Sequence, residues 1–410
     1  MRVDGKGSRM HFEASPGDAA FRVEVREFIR RHLPPDVARR SYICSQPPNI
    51  EDFRRWQRIL YDRGWGAPHW PVEYGGADWT PMQRHIFMEE MYRADAIDYG
   101  WQGTHMIGPV LIAFGSEAQK KRFLPPMLRG EEIWCQGFSE PNAGSDLASL
   151  RTRAERKGEE WVIHGQKIWT SDASEADWGF FLVRTDPEAK PQRGISMLLV
   201  PMNAPGVRIR PIEALNGGRD LNEVFLDGVR VRRENLVGEP GKGWTYAKYL
   251  LEKERTASAY LYRNKRELEK AKQIARAERA GRVRLIDTPE FARKLARVEA
   301  DLLALEWSVL RILAGERSSY DADAVVSALK IRGAEMQQRV AELQIDALGP
   351  RALRVFGQHD RSAEVIEGTP LWPWYVPGRL GQFLYVRAAT LYGGTREVQK
   401  NIIARRAFGL

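Results

Sequence analysis

The sequence predicts an α+β protein in which an N-terminal helical domain, a middle antiparallel β domain and a C-terminal helical bundle follow one another. Three observations predict this order. Apolar residues recur at helical spacing in the first third of the 410 residues. Short runs rich in Val, Ile, Phe and Trp, separated by turn residues, fill the middle third, and long amphipathic helices occupy the last. The predicted domains are 1–131, 132–237 and 238–410.

The first domain is predicted to contain five helices. They cover Asp18–His32, Ile50–Arg63, Pro81–Ala94, Gly100–Phe114 and Glu117–Leu128. Phe21 and Ile29 lie on one face of the first helix, and Pro34 is expected to end it. The stretch Gly64–Gly76 is rich in glycine and proline, which predicts a loop.

The middle domain is predicted to contain strands and the last domain helices. The strands are Glu160–His164, Trp178–Thr185, Gly194–Pro201, Val207–Pro211 and Glu223–Val231. The helices are Trp244–Arg279, Pro289–Ala314 and Ala322–Leu348. An irregular stretch with several prolines, Pro350–Gly381, then precedes the segment Gln382–Ala407, which Gly393 and Gly394 divide in two.

Composition and charge exclude several classes of protein. The chain has 63 Lys and Arg against 54 Asp and Glu, and the net charge of +9 favours an anionic partner such as a phosphate-bearing small molecule. No apolar run approaches the roughly 20 residues of a membrane-spanning helix. The polar N-terminus lacks the apolar centre of a secretory signal, so we expect a cytoplasmic protein. Cys44 and Cys135 form no C-x-x-C pair, which excludes a disulfide framework and fits a reducing compartment.

Three weaker signals favour structural interpretations. The seven histidines show no metal-binding spacing, so no metal site is predicted. The glycines of Gly238–Gly243 are spaced as in a tight turn, not as in a dinucleotide-binding loop. The stretch Lys265–Arg284 mixes Glu and Lys at helical spacing, which is typical of a solvated helix face and not of a nucleic-acid-binding surface.

Four segments carry the chemistry. They are Gln136–Asp146, Gly165–Ser171, Glu234–Gly243 and Tyr392–Gln399. Together with the order of helices and strands, they resemble the acyl-CoA dehydrogenase family over nearly the whole chain, and the first two together are highly specific. The resemblance implies FAD as the cofactor, an acyl-CoA as the substrate, and an electron-transfer flavoprotein or a similar protein as the electron acceptor.

The resemblance also assigns the contacts of cofactor and substrate. The cofactor contacts are Gln136, Phe138, Ser139, Gly144, Ser145, Trp169, Thr170, Ser171, Thr395 and Glu397. The substrate contacts are Ser145, Glu254, Arg255 and Gly394. In the family, the position of Trp169 packs on the flavin ring and that of Ser171 contacts its hydride-accepting edge. A tryptophan on a strand is by itself more typical of a protein core, but Ser171 and Ser139 beside it favour the flavin site.

Gly393 occupies the position where many members of the family carry the catalytic glutamate. Glycine cannot accept a proton, but it keeps the backbone N–H that the family directs at the thioester carbonyl. Some relatives place the base on the first helix of the C-terminal domain, directly before an arginine, and the matching pair here is Glu254-Arg255. We therefore expect Glu254 to abstract the α-proton, with a surface ion pair as the alternative. Glu252 lies about half a turn away on a different face.

The segments Trp134–Ser139 and Gly243–Lys248, together with two departures from the family pattern, resemble the large subunits of bacterial heteromeric acyl-CoA dehydrogenases. Pimeloyl-CoA dehydrogenase is one such protein, and related pairs act on steroid side chains. Homotetrameric members reach a neighbour's FAD through an Arg-x-x-Phe-Gly motif and a downstream glutamine followed by paired glycines. Here Arg279–Arg284 lacks the Phe-Gly, and Gln344–Pro350 lacks the paired glycines. We expect a homo-oligomer, or a heterotetramer with a smaller subunit of the same family. The alternatives are an acyl-CoA oxidase and a non-catalytic subunit that binds flavin or acyl-CoA.

Overall fold

The computed structural model describes residues 15–44, 49–98, 102–253, 259–314, 321–357 and 362–410, with the backbone alone for 251–253. The predicted order of helices, strands and helices is confirmed. A search of the described helices for one long and apolar enough to span a bilayer finds none.

The N-terminal region consists of helices whose starts are set by capping residues. They are α1 (Pro16–His32), α2 (Pro35–Ile43), α3 (Ile50–Asp62), α4 (Pro81–Arg93), a π-helix (Gln102–Ile107), α5 (Gly108–Phe114) and α6 (Glu117–Arg129). Ser15, Thr80 and Ser116 each close a capping box at the start of their helix. Helix α2 was not predicted: Pro34 follows the end of α1, but Pro35 suits the first position of a new helix.

The middle region forms one seven-stranded sheet. Its strands are β1 (Trp134–Gly137), β2 (Arg153–Lys157), β3 (Glu160–Ser171), β4 (Trp178–Arg184), β5 (Ile195–Pro201), β6 (Val207–Ile212) and β7 (Leu221–Arg232). Most pairs are antiparallel as predicted, but β1 runs parallel to β4, so the sheet is mixed. Strands β1 and β2 were not predicted, and β3 continues to Ser171 where the sequence predicted an end at His164.

The C-terminal region is helical, with one small hairpin. Its elements are α7 (Gly243–Lys253), α8 (Leu261–Ala277), β8 (Arg279–Ala280), β9 (Val283–Arg284), α9 (Pro289–Leu313), α10 (Ala322–Leu348), α11 (Ala363–Glu367), α12 (Arg379–Tyr385) and α13 (Arg396–Phe408). The predicted single helix Trp244–Arg279 is wrong, because Tyr260 has a left-handed backbone with φ of 51° and precedes a new helix. Gly333 of α10 packs against Ala259, where any side chain would collide with the Ala259 carbonyl.

Ion pairs tie the N-terminal helices to the C-terminal ones. The Lys265 ammonium on α8 bonds the carboxylates of both Glu89 on α4 and Glu306 on α9, and Arg22 on α1 bonds Glu89 at 2.5 Å. The imidazole of His85 lies close enough to these two carboxylates to form a metal-ligand cluster. Because the Lys265 ammonium already lies between the carboxylates, the cluster is explained as an ion-pair network.

We expect this network to make the stability of the fold depend on acid pH. Burial would raise the pKa of Glu89, but hydrogen bonds from Lys265 and Arg22 outweigh it and hold the pKa at about 2. A carboxyl with a lowered pKa stabilises the fold above its unfolded pKa, and this contribution is lost as the pH falls towards 2. The shift corresponds to about 3 kcal/mol.

Denaturant unfolding at a series of pH values checks this prediction. Glu89→Gln should lower the free energy of unfolding at pH 7 and flatten its decline between about pH 4.5 and 2. Glu160→Gln is the matched control, since Glu160 pairs with Arg230 through side chains that are 44% and 59% exposed, and such ion pairs contribute little. Equal acid profiles for wild type and Glu89→Gln would contradict the prediction.

Candidate functional site

An irregularity in strand β3 leaves Trp169 exposed to solvent. The pairing of β3 with β7 shifts between Lys167 and Thr170, so the residues between them bulge out of the ladder. Trp169 has a left-handed backbone with φ of 60°, and its side chain is 56% exposed. A large aromatic residue held in a strained conformation and left exposed is typical of a binding surface.

The turn that follows β1 lies against this bulge. The Ile168 N–H donates to the Ser139 carbonyl at 3.0 Å, which brings Ser139 next to Trp169 in the chain's fold. Reciprocal backbone hydrogen bonds of 3.0 Å between Glu140 and Ala143 close the turn. Ser145 follows the turn and is exposed. The structure therefore brings together the motifs Gln136–Asp146 and Gly165–Ser171, which are separated in the sequence.

A buried ion pair fixes the turn to the strand. The Lys167 side chain is fully buried, and its Nζ donates to Glu140 Oε1 at 2.8 Å and to the Phe138 carbonyl at 3.1 Å. Glu140 also accepts the N–H groups of Arg151 at 2.6 Å and Thr152 at 2.9 Å. Burial alone would raise the pKa of Glu140, but the ammonium and these donors lower it. Burial lowers the pKa of Lys167 to about 8, so the pair is ionised at neutral pH.

Polar atoms without partners border the end of β3. Thr170 is buried, and its Oγ1 finds no hydrogen-bond partner among the described residues. Gln102 of the π-helix is also buried; its Nε2 donates to the Ser171 carbonyl at 3.4 Å, and its Oε1 has no partner in the described part of the chain. Unpartnered buried polar atoms are costly, which is expected where a ligand completes the hydrogen bonds. The sequence did not identify Gln102.

The remaining predicted residues of this segment lie on β1 or in the turn that follows it. Gln136 is half-buried on β1. Phe138 is buried and meets Phe180 edge-on, with ring centroids 5.7 Å apart. Gly144 has open space where a side chain would project, so steric crowding does not explain why this position is a glycine.

The second half of the predicted site is a glycine loop before α13. Gly393 and Gly394 have φ of 64° and 86°, a left-handed conformation that favours glycine. Thr395 caps α13, accepting the Val398 N–H at 3.1 Å, and Glu397 in the first turn is exposed. The N-terminus of a helix suits a phosphate in general, and the cofactor contacts of Thr395 and Glu397 stay predictions.

Tyr385 of α12 lies near both halves of the predicted site, the end of β3 and the glycine loop. Burial and the neighbouring Tyr392 raise the pKa of Tyr385 well above its usual value, and the charges of Asp220 and Asp172 add to this. Asp172 directly follows β3, and Asp220 directly precedes β7. The C-terminal helices therefore lie close to the end of the strand that carries Trp169.

Glu254 and Arg255 lie outside the described residues. The described chain ends at Lys253 of α7 and resumes at Ala259. Where it resumes, the ring of Tyr260 stands edge-on to Tyr392, with centroids 6.3 Å apart. Tyr260, at the point where the description resumes, therefore lies beside the glycine loop.

The stretch predicted as a solvated helix face is instead part of a buried charge cluster. Arg266, Glu267 and Lys270 of α8 are each at most 6% exposed. The Glu267 carboxylate pairs with Lys270 and with Arg379, each at 3.1 Å. Gln344 is buried as well, and its Nε2 donates to the Glu267 carbonyl at 2.7 Å and carboxylate at 3.0 Å. Alternating charges have the same spacing on a solvated face and in a tertiary cluster, so the pattern did not distinguish them.

Trp169 yields a prediction that separates binding from folding. Trp169→Ala should lower the affinity of the chain for FAD by about 10-fold or more, because it removes the exposed aromatic face. The free energy of unfolding should change by less than about 0.5 kcal/mol, as for other exposed side chains. Titration of the FAD-free chain with FAD and urea unfolding check both parts. Trp307→Ala, at a half-exposed tryptophan on α9, is the control and should retain the affinity.

Comparison with known proteins identifies matches along nearly the whole chain. Models of the acyl-CoA dehydrogenase N-terminal, middle and C-terminal domains match residues 15–131, 135–229 and 241–408. Acyl-CoA dehydrogenase IpdE1 of Mycobacterium tuberculosis is 37% identical over 95% of this chain and 97% of its own length. Acyl-CoA dehydrogenase FadE26 of the same organism is 35% identical, with 98% and 99% covered.

Two similar solved structures are complexes. The ChsE4–ChsE5 complex of Mycobacterium tuberculosis has a chain with a TM-score of 0.81 and 32% identity, covering 98% of this chain and 99% of that one. The Tcur3481–Tcur3483 steroid ACAD has a chain with a TM-score of 0.80 and 30% identity, with 97% and 98% covered.

Proposed function

Because the chain belongs to the acyl-CoA dehydrogenase family, whose general reaction is the FAD-dependent dehydrogenation of acyl-CoA thioesters, we propose that it is the larger, catalytic subunit of a heteromeric member. The proposed product is the trans-2-enoyl-CoA. An electron-transfer flavoprotein or a similar protein is the proposed electron acceptor. We propose the cytoplasm as the compartment, whose reducing conditions agree with the lack of a disulfide at Cys44 and Cys135 among the described residues.

The observation that carries the proposal is the exposed Trp169 beside the Ser139 turn. These residues fit FAD: an aromatic face is presented at the bulge, and Thr170 Oγ1 and Gln102 Oε1 are buried without partners among the described residues. Trp169 and Ser171 would hold the flavin ring with Ser139, and Thr395 would lie towards the phosphates. Bound FAD supplies the acceptor for the β-hydrogen, which leaves as hydride.

The chain's own groups supply the proton chemistry. Abstraction of the weakly acidic α-proton requires a base, and we assign that role to Glu254. The N–H of Gly393 donates to the thioester carbonyl, where negative charge develops as the proton leaves. Two observations support the assignment of the base to Glu254 and of the carbonyl donor to Gly393. Position 393 has no acidic side chain, and the Tyr260 hydroxyl is 3.9 Å from where a Cβ on Gly393 would lie, so the chain that follows Glu254 approaches the loop.

A second subunit is proposed because this chain does not offer the FAD clamp of homotetramers. The side-chain nitrogen of Gln344 is committed to Glu267 inside the same chain, and Gln344 is only 1% exposed. A smaller subunit of the same family would then complete the cofactor site. The chain should carry less FAD when expressed alone than when co-expressed with such a subunit, and equal full occupancy would count against the partner.

Anaerobic bleaching of the flavin by acyl-CoA tests the proposed activity. The panel contains linear, branched, dicarboxylic and steroid thioesters, the last because one similar solved structure is a steroid ACAD. Bleaching by at least one thioester, without peroxide release on readmission of oxygen, supports a dehydrogenase. Rapid peroxide release would identify an oxidase. A flavin-loaded complex that no thioester bleaches would indicate a non-catalytic subunit.

A further inference from the structure

Lys330 of α10 lies directly behind the glycine loop. Its side chain is 3% exposed, and its Nζ donates to the carbonyls of Gly394 at 2.8 Å and Ala389 at 3.1 Å. The Lys330 Cε is 3.9 Å from where a Cβ on Gly393 would lie. The ammonium is therefore bonded to the same loop whose N–H we assign to the thioester carbonyl.

Among the described residues, the Lys330 ammonium donates to backbone carbonyls and to no carboxylate. No carboxylate of the described residues lies within ion-pair distance of its Nζ. Burial lowers the pKa of Lys330 to about 8, against the longer-range attraction of Glu397 on α13. The ring of Tyr392 lies 6.0 Å away. Burial of an ammonium without a carboxylate costs free energy, and uncharged donors would satisfy the two carbonyls.

A position beside developing negative charge accounts for this cost. A preorganised positive charge in a water-excluded site stabilises an oxyanion more strongly than it would in water. A neutral donor to the two carbonyls would shape the loop equally well but would lack this effect. Two successive glycines lose much conformational freedom when the loop is ordered, so a hydrogen bond from Lys330 helps to fix its conformation.

We propose that Lys330 is a positioning residue for the dehydrogenation: it holds the loop so that the Gly393 N–H faces the thioester carbonyl, and its charge stabilises the negative charge that develops there. The proposal rests on the proposed function, in which Gly393 is the donor. It assigns to Lys330 no contact with substrate and no proton transfer.

Three substitutions separate the hydrogen bonds from the charge. Lys330→Arg keeps both, Lys330→Gln keeps a donor without the charge, and Lys330→Met removes both. Each is measured in the FAD-loaded enzyme with its partner subunit. The readouts are the rate of anaerobic flavin reduction at saturating acyl-CoA, the dissociation constant of the acyl-CoA, and the absorption shift of bound cinnamoyl-CoA, which reports polarisation of the thioester carbonyl.

We expect Lys330→Met and Lys330→Gln to slow flavin reduction by about 10²-fold, the order found when one oxyanion-stabilising group is removed. Both should lose most of the red shift of cinnamoyl-CoA, while FAD content and acyl-CoA affinity change by less than about threefold. Lys330→Arg should retain the shift and most of the rate. If Lys330→Met does not fold, the other two variants decide.

Two outcomes would overturn the role of Lys330, and they differ from failure of the proposed function. One is a Lys330→Gln enzyme with the wild-type rate and red shift. The other is a uniform loss of FAD content and acyl-CoA affinity in all variants, which indicates support of the fold alone. A wild-type enzyme that neither bleaches nor shifts cinnamoyl-CoA would contradict the proposed function itself, and this role with it.

Discussion

Glu254→Gln should abolish reduction of the flavin by acyl-CoA while FAD binds normally. Glutamine keeps the size of the side chain but cannot take the α-proton, so the rate of flavin reduction should fall by about 10³-fold or more. The base must be ionised to accept the proton, so the wild-type rate should also rise with pH as the base loses its own proton. Anaerobic stopped-flow absorption of the flavin in a single turnover measures both effects.

Glu252→Gln is the matched control. It makes the same chemical change two residues earlier in the sequence and should leave the rate nearly unchanged. Full single-turnover reduction in Glu254→Gln would refute the assignment of the base. If both variants lose flavin as well as activity, the segment supports cofactor binding and the base lies elsewhere.

The order of the elements could be predicted because hydrophobic periodicity is a local property. The long helices α9 and α10 were predicted to within a residue of their observed ends. The break at Tyr260 could not be predicted, since a charged helical pattern continues across it, whereas the close contact of Ala259 with Gly333 of α10 exists only in the folded chain. Strand β2 was missed because Arg153–Lys157 is mostly exposed and charged at the surface of the sheet.

The motif residues of the candidate site were found through resemblance, but their supports were not. Trp169 and Ser139 belong to segments with recognisable composition, whereas Lys167 and Glu140 are ordinary charged residues until the fold buries them together. A lysine two positions before an exposed tryptophan on one strand is a weak signal. Lys330 and Gln102 belong to no recognisable motif in the sequence, and only the hydrogen bonds of the folded chain distinguish them.

Lys167→Met should cause a large loss of stability. It leaves the Glu140 carboxylate buried with two backbone donors but without its counter-charge, and removal of one partner from a buried ion pair costs about 3–5 kcal/mol. The Phe138 carbonyl also loses its donor, so the Ser139 turn should shift and FAD affinity should fall. Urea unfolding gives the stability, and titration with FAD gives the affinity.

Two further variants show whether the effect comes from the unpaired carboxylate. Lys294→Met breaks a half-exposed ion pair with Asp346 at 2.9 Å and should cost less than about 1 kcal/mol. Glu140→Gln combined with Lys167→Met removes both charges, and much of the lost stability should return because no buried charge remains unpaired. If the double variant is as unstable as the sum of its single changes, the cost arises from packing and not from the charge. If stability returns but FAD affinity does not, the ion pair is needed to orient the Ser139 turn, since the turn can then fold without holding the geometry that the cofactor requires.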